Sequence, residues 1–294
     1  MMGIAAFGGV NKISDFAGVA VVSGMMSGVG LILAGVSLDM FNQEKRTALI
    51  SIVTAIAAYA IFFNSPNKVV WTIFISVVVS TADFLLLQKR RVDVTASVEE
   101  GRDYLPSSNE WRFWKKEYWK DFKVIKPRLN LAVILGALSL VMLNIGANIS
   151  FGGITASIAG TTQNYDHLSF INSLADLPAA LFGGPPIEAI ISGTAGAPWP
   201  VACGIVFMFA MGILILLGVI GRLGRYLPSQ SIAGFLLVIG FALTFAPNLS
   251  AVSNSDNPVS GYIALGVTAW SKNPFIGMVV GILVRYLGSY VGLV

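Results

Sequence analysis

Six apolar runs, too long and uniform for the surface of a soluble domain, decide what this chain can fold into. They are Thr47–Phe63, Val69–Leu87, Leu129–Leu143, Pro200–Ile220, Gln230–Ala246 and Pro274–Leu293. Each approaches or reaches the roughly 20 residues that carry a helix across a bilayer core of about 30 Å. Lipid offers no hydrogen bonds to a bare backbone, so such runs must satisfy their own N–H and C=O groups as helices. Composition agrees: of 294 residues, 55% are hydrophobic and 12% charged, where a soluble domain carries about 25% charged residues. The chain reads as an all-α polytopic membrane protein, integral and multi-pass, with the lipid bilayer as its first partner.

Charge placement gives organisation and orientation. Eleven of the 19 Lys and Arg residues, with seven acids, fall between Lys89 and Arg128. This polar stretch divides the chain into a membrane block at 1–88, a linker at 89–128 and a second membrane block at 129–294. Basic loops stay in the cytoplasm, which puts the linker inside with Lys45 and Arg46, and with Arg222 and Arg225 if an even number of crossings intervenes. Asn248–Gly261, without Lys or Arg, reads as an outward loop. Within the linker, Trp111, Trp114, Tyr118 and Phe122 recur at helical spacing among lysines. Glu110–Lys123 is thus either a helix in the headgroup layer or an ordinary linker with an aromatic anchor. The net charge of +4 does not point to nucleic acid, because the basic residues gather beside membrane runs. Met1–Val22 lacks the pattern of a cleaved signal peptide. A single cysteine, Cys203, rules out an intrachain disulfide.

Two features suggest internal duplication and interrupted helices. Ala20-Val21-Val22-Ser23-Gly24 is similar to Ala189-Ile190-Ile191-Ser192-Gly193. Each precedes a span rich in Gly and Met (Met25–Leu38 and Val201–Ile220), a further span, and a helix led by Asn64-Ser65-Pro66 or Asn273-Pro274. Repeats of this kind are typical of secondary transporters. The second block also holds Ile149–Gln163, rich in Gly, Ser and Thr, and the interruption Gly183-Gly184-Pro185-Pro186. Glycine and proline free the chain from helical geometry. Gly183–Pro186 should then be extended and feed a half-helix over 187–197, its N-terminal N–H groups aimed at the bilayer midplane. A kinked packing helix is the alternative.

The run Ser173-Leu174-Ala175-Asp176-Leu177-Pro178-Ala179-Ala180-Leu181-Phe182-Gly183-Gly184-Pro185-Pro186, followed by Ile190-Ile191-Ser192-Gly193, resembles the xanthine/uracil permeases, the nucleobase–cation symporters. Ile154–Gly160 is similar to the end of that family's eighth span, and Pro228–Phe241 to its twelfth. The resemblance covers about 129–294, all seven spans of the family's second repeat. It implies an inverted-repeat transporter fold with broken half-helices, the first repeat incomplete because its first two spans have no counterpart before Phe16. It implies core and gate domains, a small-molecule solute bound between half-helices, proton or sodium coupling with no other cofactor, a homodimer, and the bacterial inner (plasma) membrane. It also places the inter-repeat link outside, against the charge rule, unless one span of the first block is lost. Two glutamates bind nucleobase in the family; their positions fall on Ala147 and Ser192 here. Glu188, one helical turn before Ser192, would be the substitute.

The expected substrate-binding residues are Glu188, Ser192, Thr194, Asn144, Asn148, Thr155 and Ser23, with Ser150 beside them. Glu188 is either a ligand and proton carrier or a helix cap, while Asp176 is expected to tie its span to neighbours. Asp83 is read as reaching the interface near Lys89. Asn144 and Asn148, at i and i+4, share a helical face and could read the edge of a ring or bond a neighbouring helix. His167 beside Asp166 makes no metal site. Neither a nucleophile–base pair nor a phosphate-cradling glycine loop is present, so an enzyme is not expected. The leading expectation is nucleobase transport by alternating access; the alternatives are an anion transporter of the sulfate-permease type and a non-transporting membrane protein or remnant.

Overall fold

The computed structural model describes residues 1–65, 68–88, 130–181, 187, 189–217, 219 and 228–291. The interfacial-helix segment Glu110–Lys123, the Gly183–Pro186 interruption, Glu188, Arg222 and Arg225 lie outside the described residues. Among those described there is no strand. The helices are α1 (Met2–Ala6), α2 (Gly9–Gln43), α3 (Lys45–Ile61), α4 (Lys68–Gln88), α5 (Leu131–Ile158), α6 (Tyr165–Leu181), α7 (Pro200–Leu216), α8 (Ala233–Leu237), α9 (Ala246–Ser253), α10 (Pro258–Ser271) and α11 (Pro274–Val291). A π-helical stretch, Val238–Phe245, joins α8 to α9. Four helical stretches are long and apolar enough to cross a membrane: Gly9–Gln43, Lys68–Leu86, Leu140–Ile158 and Ser229–Ser253.

The chain forms two compact units that interleave along the sequence: residues 1–35, 124–192 and 239–294, and residues 36–123 and 193–238. In unit 1, Val10, Val21, Met25 and Val29 of α2 pack with Ile145, Ile149 and Ile154 of α5 and with Met278 of α11. Between helices in lipid, close approach of small residues replaces hydrophobic drive. Gly24 of α2 rests directly on the backbone of Gly261 in α10, and Gly146 of α5 lies against the backbone of Phe275 in α11. Helix ends are closed by side chains: Asn130 accepts the Val133 N–H at 2.8 Å, Asn257 that of Ser260 at 3.2 Å, and Asn273 those of Phe275 and Ile276 at 3.0 and 3.3 Å.

Unit 2 is built on the α3–α4 hairpin. At one end the guanidinium of Arg46 donates to both carboxylate oxygens of Asp83, each at 3.2 Å; Asp83 therefore has a structural partner near the linker. Deeper in, the Ser51 hydroxyl donates to the Ser231 carbonyl at 2.6 Å and accepts the Gly234 N–H at 3.0 Å. Ser76 stands 3.0 Å from it. Ser37 donates to the Ala233 carbonyl at 2.7 Å. The hairpin hydroxyls, together with Ser37 of α2, fasten the 3₁₀ turn Ser229–Ile232 and the start of α8. No residue of α7 is buried within the unit; Val206, Met208 and Phe209 are all exposed, a surface suited to lipid rather than water.

Several expectations need correction. The half-helix over 187–197 does not form: residues 187 and 189–192 are irregular and only Gly193–Gly196 winds, as a 3₁₀ turn. The Ile187 N–H is taken by the Asp176 side chain at 2.6 Å, and Pro198 and Pro200 deny a helix its donors and disfavour helical geometry just before them. Ser192 therefore shares no helical face of the kind expected with position 188. The duplicated words also differ locally, since Ala20–Gly24 is helical and Ala189–Ser192 is not. Ile149–Gln163 is not a broken span; α5 runs unbroken to Ile158. It stops because Gly160 takes φ 65°. The Gly160 and Thr161 N–H groups then bond back to Ser157 and Ala156, a glycine-dependent helix stop. Asn248–Gly261 is mostly helix, with only Asn254–Asn257 turning between α9 and α10.

Candidate functional site

The expected polar face on α5 exists, and α6 uses half of it. Asn148 is 1% exposed. Its amide nitrogen donates to the Ser169 hydroxyl at 3.0 Å, and its carbonyl oxygen accepts from the Asn172 amide at 2.9 Å. Both ends of the side chain are thus spent on α6, which is the helix-bonding alternative rather than the ring-reading one. One turn earlier, Asn144 is 7% exposed and its carbonyl oxygen has no hydrogen-bond partner among the described residues. Thr155, further along α5, likewise keeps a buried hydroxyl with no partner among the described residues, whereas Ser150 bonds the Gly146 carbonyl at 2.8 Å. Ala147, also on α5, is buried and cannot ionise or bond.

An unmet buried acceptor costs about 1–3 kcal/mol, while removing it with a shape-matched apolar group is close to neutral. Asn148→Leu is therefore expected to destabilise by about 2–4 kcal/mol, because it strands both Asn172 and Ser169. Asn144→Leu should cost less than about 1 kcal/mol. Chemical unfolding of the two variants in the same detergent checks the contrast; equal losses would show that the two amides are not used differently.

The second element of the site is a break in α2 that the sequence did not announce. Gly18 takes φ 77° and ψ 165°, a conformation essentially restricted to glycine. It cuts the helix into 9–17 and 19–43. The Arg285 guanidinium of α11 fills the space beside Gly18 and donates to the freed carbonyls of Ala17 at 2.7 Å and Phe16 at 3.3 Å. Tyr286 stacks on Phe16 at 4.7 Å between ring centroids. At the other end of the same short helix, the Asp166 carboxylate accepts the Val10 N–H at 2.7 Å and the Asn11 N–H at 3.3 Å. Asn11 in turn bonds Asn164 and the Tyr165 N–H. An anion at the helix start and a cation at its end both complement the helix dipole. Asp166 is therefore a cap, and its neighbour His167 is tied into the same turn by its N–H to Asn164.

Of the expected ligands, Ser23 on α2, Asn144, Asn148 and Thr155 on α5, and Asp176 on α6 fall in unit 1, as does Ser192. Thr194, in the 3₁₀ turn, belongs to unit 2. Asp176 accepts the Ile187 N–H, eleven residues further on in the segment that follows its own helix. Arg285 was overlooked, although an arginine inside an apolar run is a signal in its own right. Among the described residues, no group of three or more His, Cys, Asp or Glu gathers to hold a metal ion. Compared with known proteins, the chain matches no family model, no curated sequence and no solved structure.

Proposed function

We propose that the chain is a multi-pass secondary transporter of a nucleobase such as xanthine or uracil, or of a related small polar solute, working by ion-coupled alternating access. The observation that carries this reading is the interrupted helix at Gly18. Freed backbone at membrane depth is tolerated only where protein or a polar cavity meets it, and discontinuous helices form the solute sites of transporters. Here Arg285 meets the broken end, and a second irregular stretch, residues 187 and 189–192, is held through the Ile187 N–H by Asp176. Asn144 and Thr155 add polar atoms unmet among the described residues, of the kind a solute's donors and acceptors would satisfy. The resemblance of 173–193 to the nucleobase permeases names the solute class, and the exposed apolar faces supply a surface for bilayer contact.

Radiolabelled uracil and xanthine uptake into proteoliposomes, with and without an inward proton gradient, tests the proposal. Gradient-driven uptake of either base is expected, falling at least tenfold in Glu188→Gln. Absence of uptake by a folded protein would sink it. Uptake of sulfate instead would establish the anion-carrier alternative, which Ala147 and Ser192 favour by standing where the family has glutamates.

A further inference from the structure

The span 229–253 changes its winding along its length: a 3₁₀ turn at Ser229–Ile232, α over Ala233–Leu237, π over Val238–Phe245 and α again over Ala246–Ser253. π winding is rare, short where it occurs, and frequent at functional sites. Both ends of the span are fastened. Upstream, Ser51 and Ser37 hold Ser231, Ala233 and Gly234. Downstream, the Asn248 amide donates to the Thr244 carbonyl at 2.8 Å and Val252 is fully buried. The π stretch begins where the chain passes from unit 2, ending at Val238, to unit 1, starting at Ile239.

Two details of the π stretch bear on an alternative winding. Gly240 is seated on Gly30: a Cβ at Gly240 would stand 2.6 Å from the Gly30 carbonyl oxygen, and one at Gly30 2.5 Å from that of Gly240. Thr244, by contrast, is fully buried with a hydroxyl that makes no hydrogen bond among the described residues. In α-helical segments such a hydroxyl can bond the carbonyl four residues back, although among the described residues those of Thr155 and Thr268 do not. Thr54 reaches Ile50 at 2.6 Å, Thr72 reaches Lys68 at 2.7 Å, and Ser173 reaches Ser169 at 2.7 Å. For Thr244 that carbonyl belongs to Gly240, and π winding carries it out of register. The π state has the Gly30–Gly240 seat and leaves the Thr244 hydroxyl unbonded among the described residues; α winding would bring that hydroxyl within reach of the Gly240 carbonyl.

We infer that Val238–Phe245 is a two-state hinge, exchanging between the π winding seated on Gly30 and an α winding in which Thr244 bonds Gly240. Rewinding changes the length and twist of the span while its fastened ends hold. The inference concerns winding alone and stands apart from the identity of any solute. It is tested by spin-label distances between Ser229→Cys and Val259→Cys, both placed in a Cys203→Ser background of the full chain in nanodiscs. Two distance populations are expected. Thr244→Val, which removes the gain of the α state, should raise the π-population share at least threefold. Gly240→Ala, which unseats the π state, should shift the ratio at least tenfold the other way. Gly212→Ala, whose Cβ meets open space, should leave the ratio unchanged. A single narrow distance, or a ratio that Thr244→Val does not move, overturns the hinge even if Gly240→Ala fails to fold.

Discussion

Gly18→Ala is expected to destabilise the protein by about 3 kcal/mol, among the largest losses any single methyl group could cause here. The backbone conformation at position 18 costs an L-residue about 1–3 kcal/mol on its own. The added Cβ would also enter the space held by the Arg285 guanidinium, and a displaced guanidinium leaves the Phe16 and Ala17 carbonyls without their donor. Losing hydrogen bonds to a charged group adds about 1.5–3 kcal/mol, part of which relaxation returns. Unfolding in mixed micelles measures the loss. Arg285→Leu should reproduce much of it, and Arg285→Lys less. If Gly18→Ala unfolds like the wild type, the break does not depend on glycine and the account of Arg285 as its keeper fails.

The second large effect is expected at Gly24→Val. Gly24 lies directly on the Gly261 backbone, and backbone, unlike a flexible side-chain end, cannot step aside. Overpacking ordinarily costs about 1–3 kcal/mol, and a contact of two helix backbones belongs at the upper end or beyond. The expected outcome is a sharp drop in the yield of monodisperse protein and in apparent melting temperature. Gly35→Ala and Gly266→Ala, whose Cβ atoms meet open space, should melt like the wild type. A Gly24→Val protein of unchanged melting temperature would mean that α2 and α10 are not in contact as described.

The spans were legible because the length a bilayer demands is written directly in residue type. Thr47–Phe63 and Val69–Leu87 differ from α3 and α4 by only a residue or two at each end. Asn273-Pro274 was legible as a helix start for an equally local reason, since an Asn cap followed by proline needs no distant partner. The break at Gly18 was not legible. Ala17-Gly18-Val19 looks like any small residue in an apolar helix, and what fixes its conformation is Arg285, 268 residues further on. The face shared by Asn144 and Asn148 could be read from their spacing. Which of the two would be consumed could not, because the consumers, Ser169 and Asn172, sit on another helix. The similar words at Ala20 and Ala189 misled for a related reason: short strings of small and apolar residues suit many membrane conformations, and Pro198 and Pro200 decided one of them.

The caps on the short helix 9–17 also set an order of assembly. Its amide end waits for Asp166, 156 residues later in the chain, and its carbonyl end for Arg285. At about 5–20 residues per second, the ribosome needs roughly 8–30 s to deliver the first of these partners. Until then the segment 9–17 is a helix with both ends open. Unit 2, whose last contributing residue is Val238, can close while the chain is still being synthesised. Unit 1 closes only when α11 arrives, so residues 9–17, made long before it, are among the last to reach their final place.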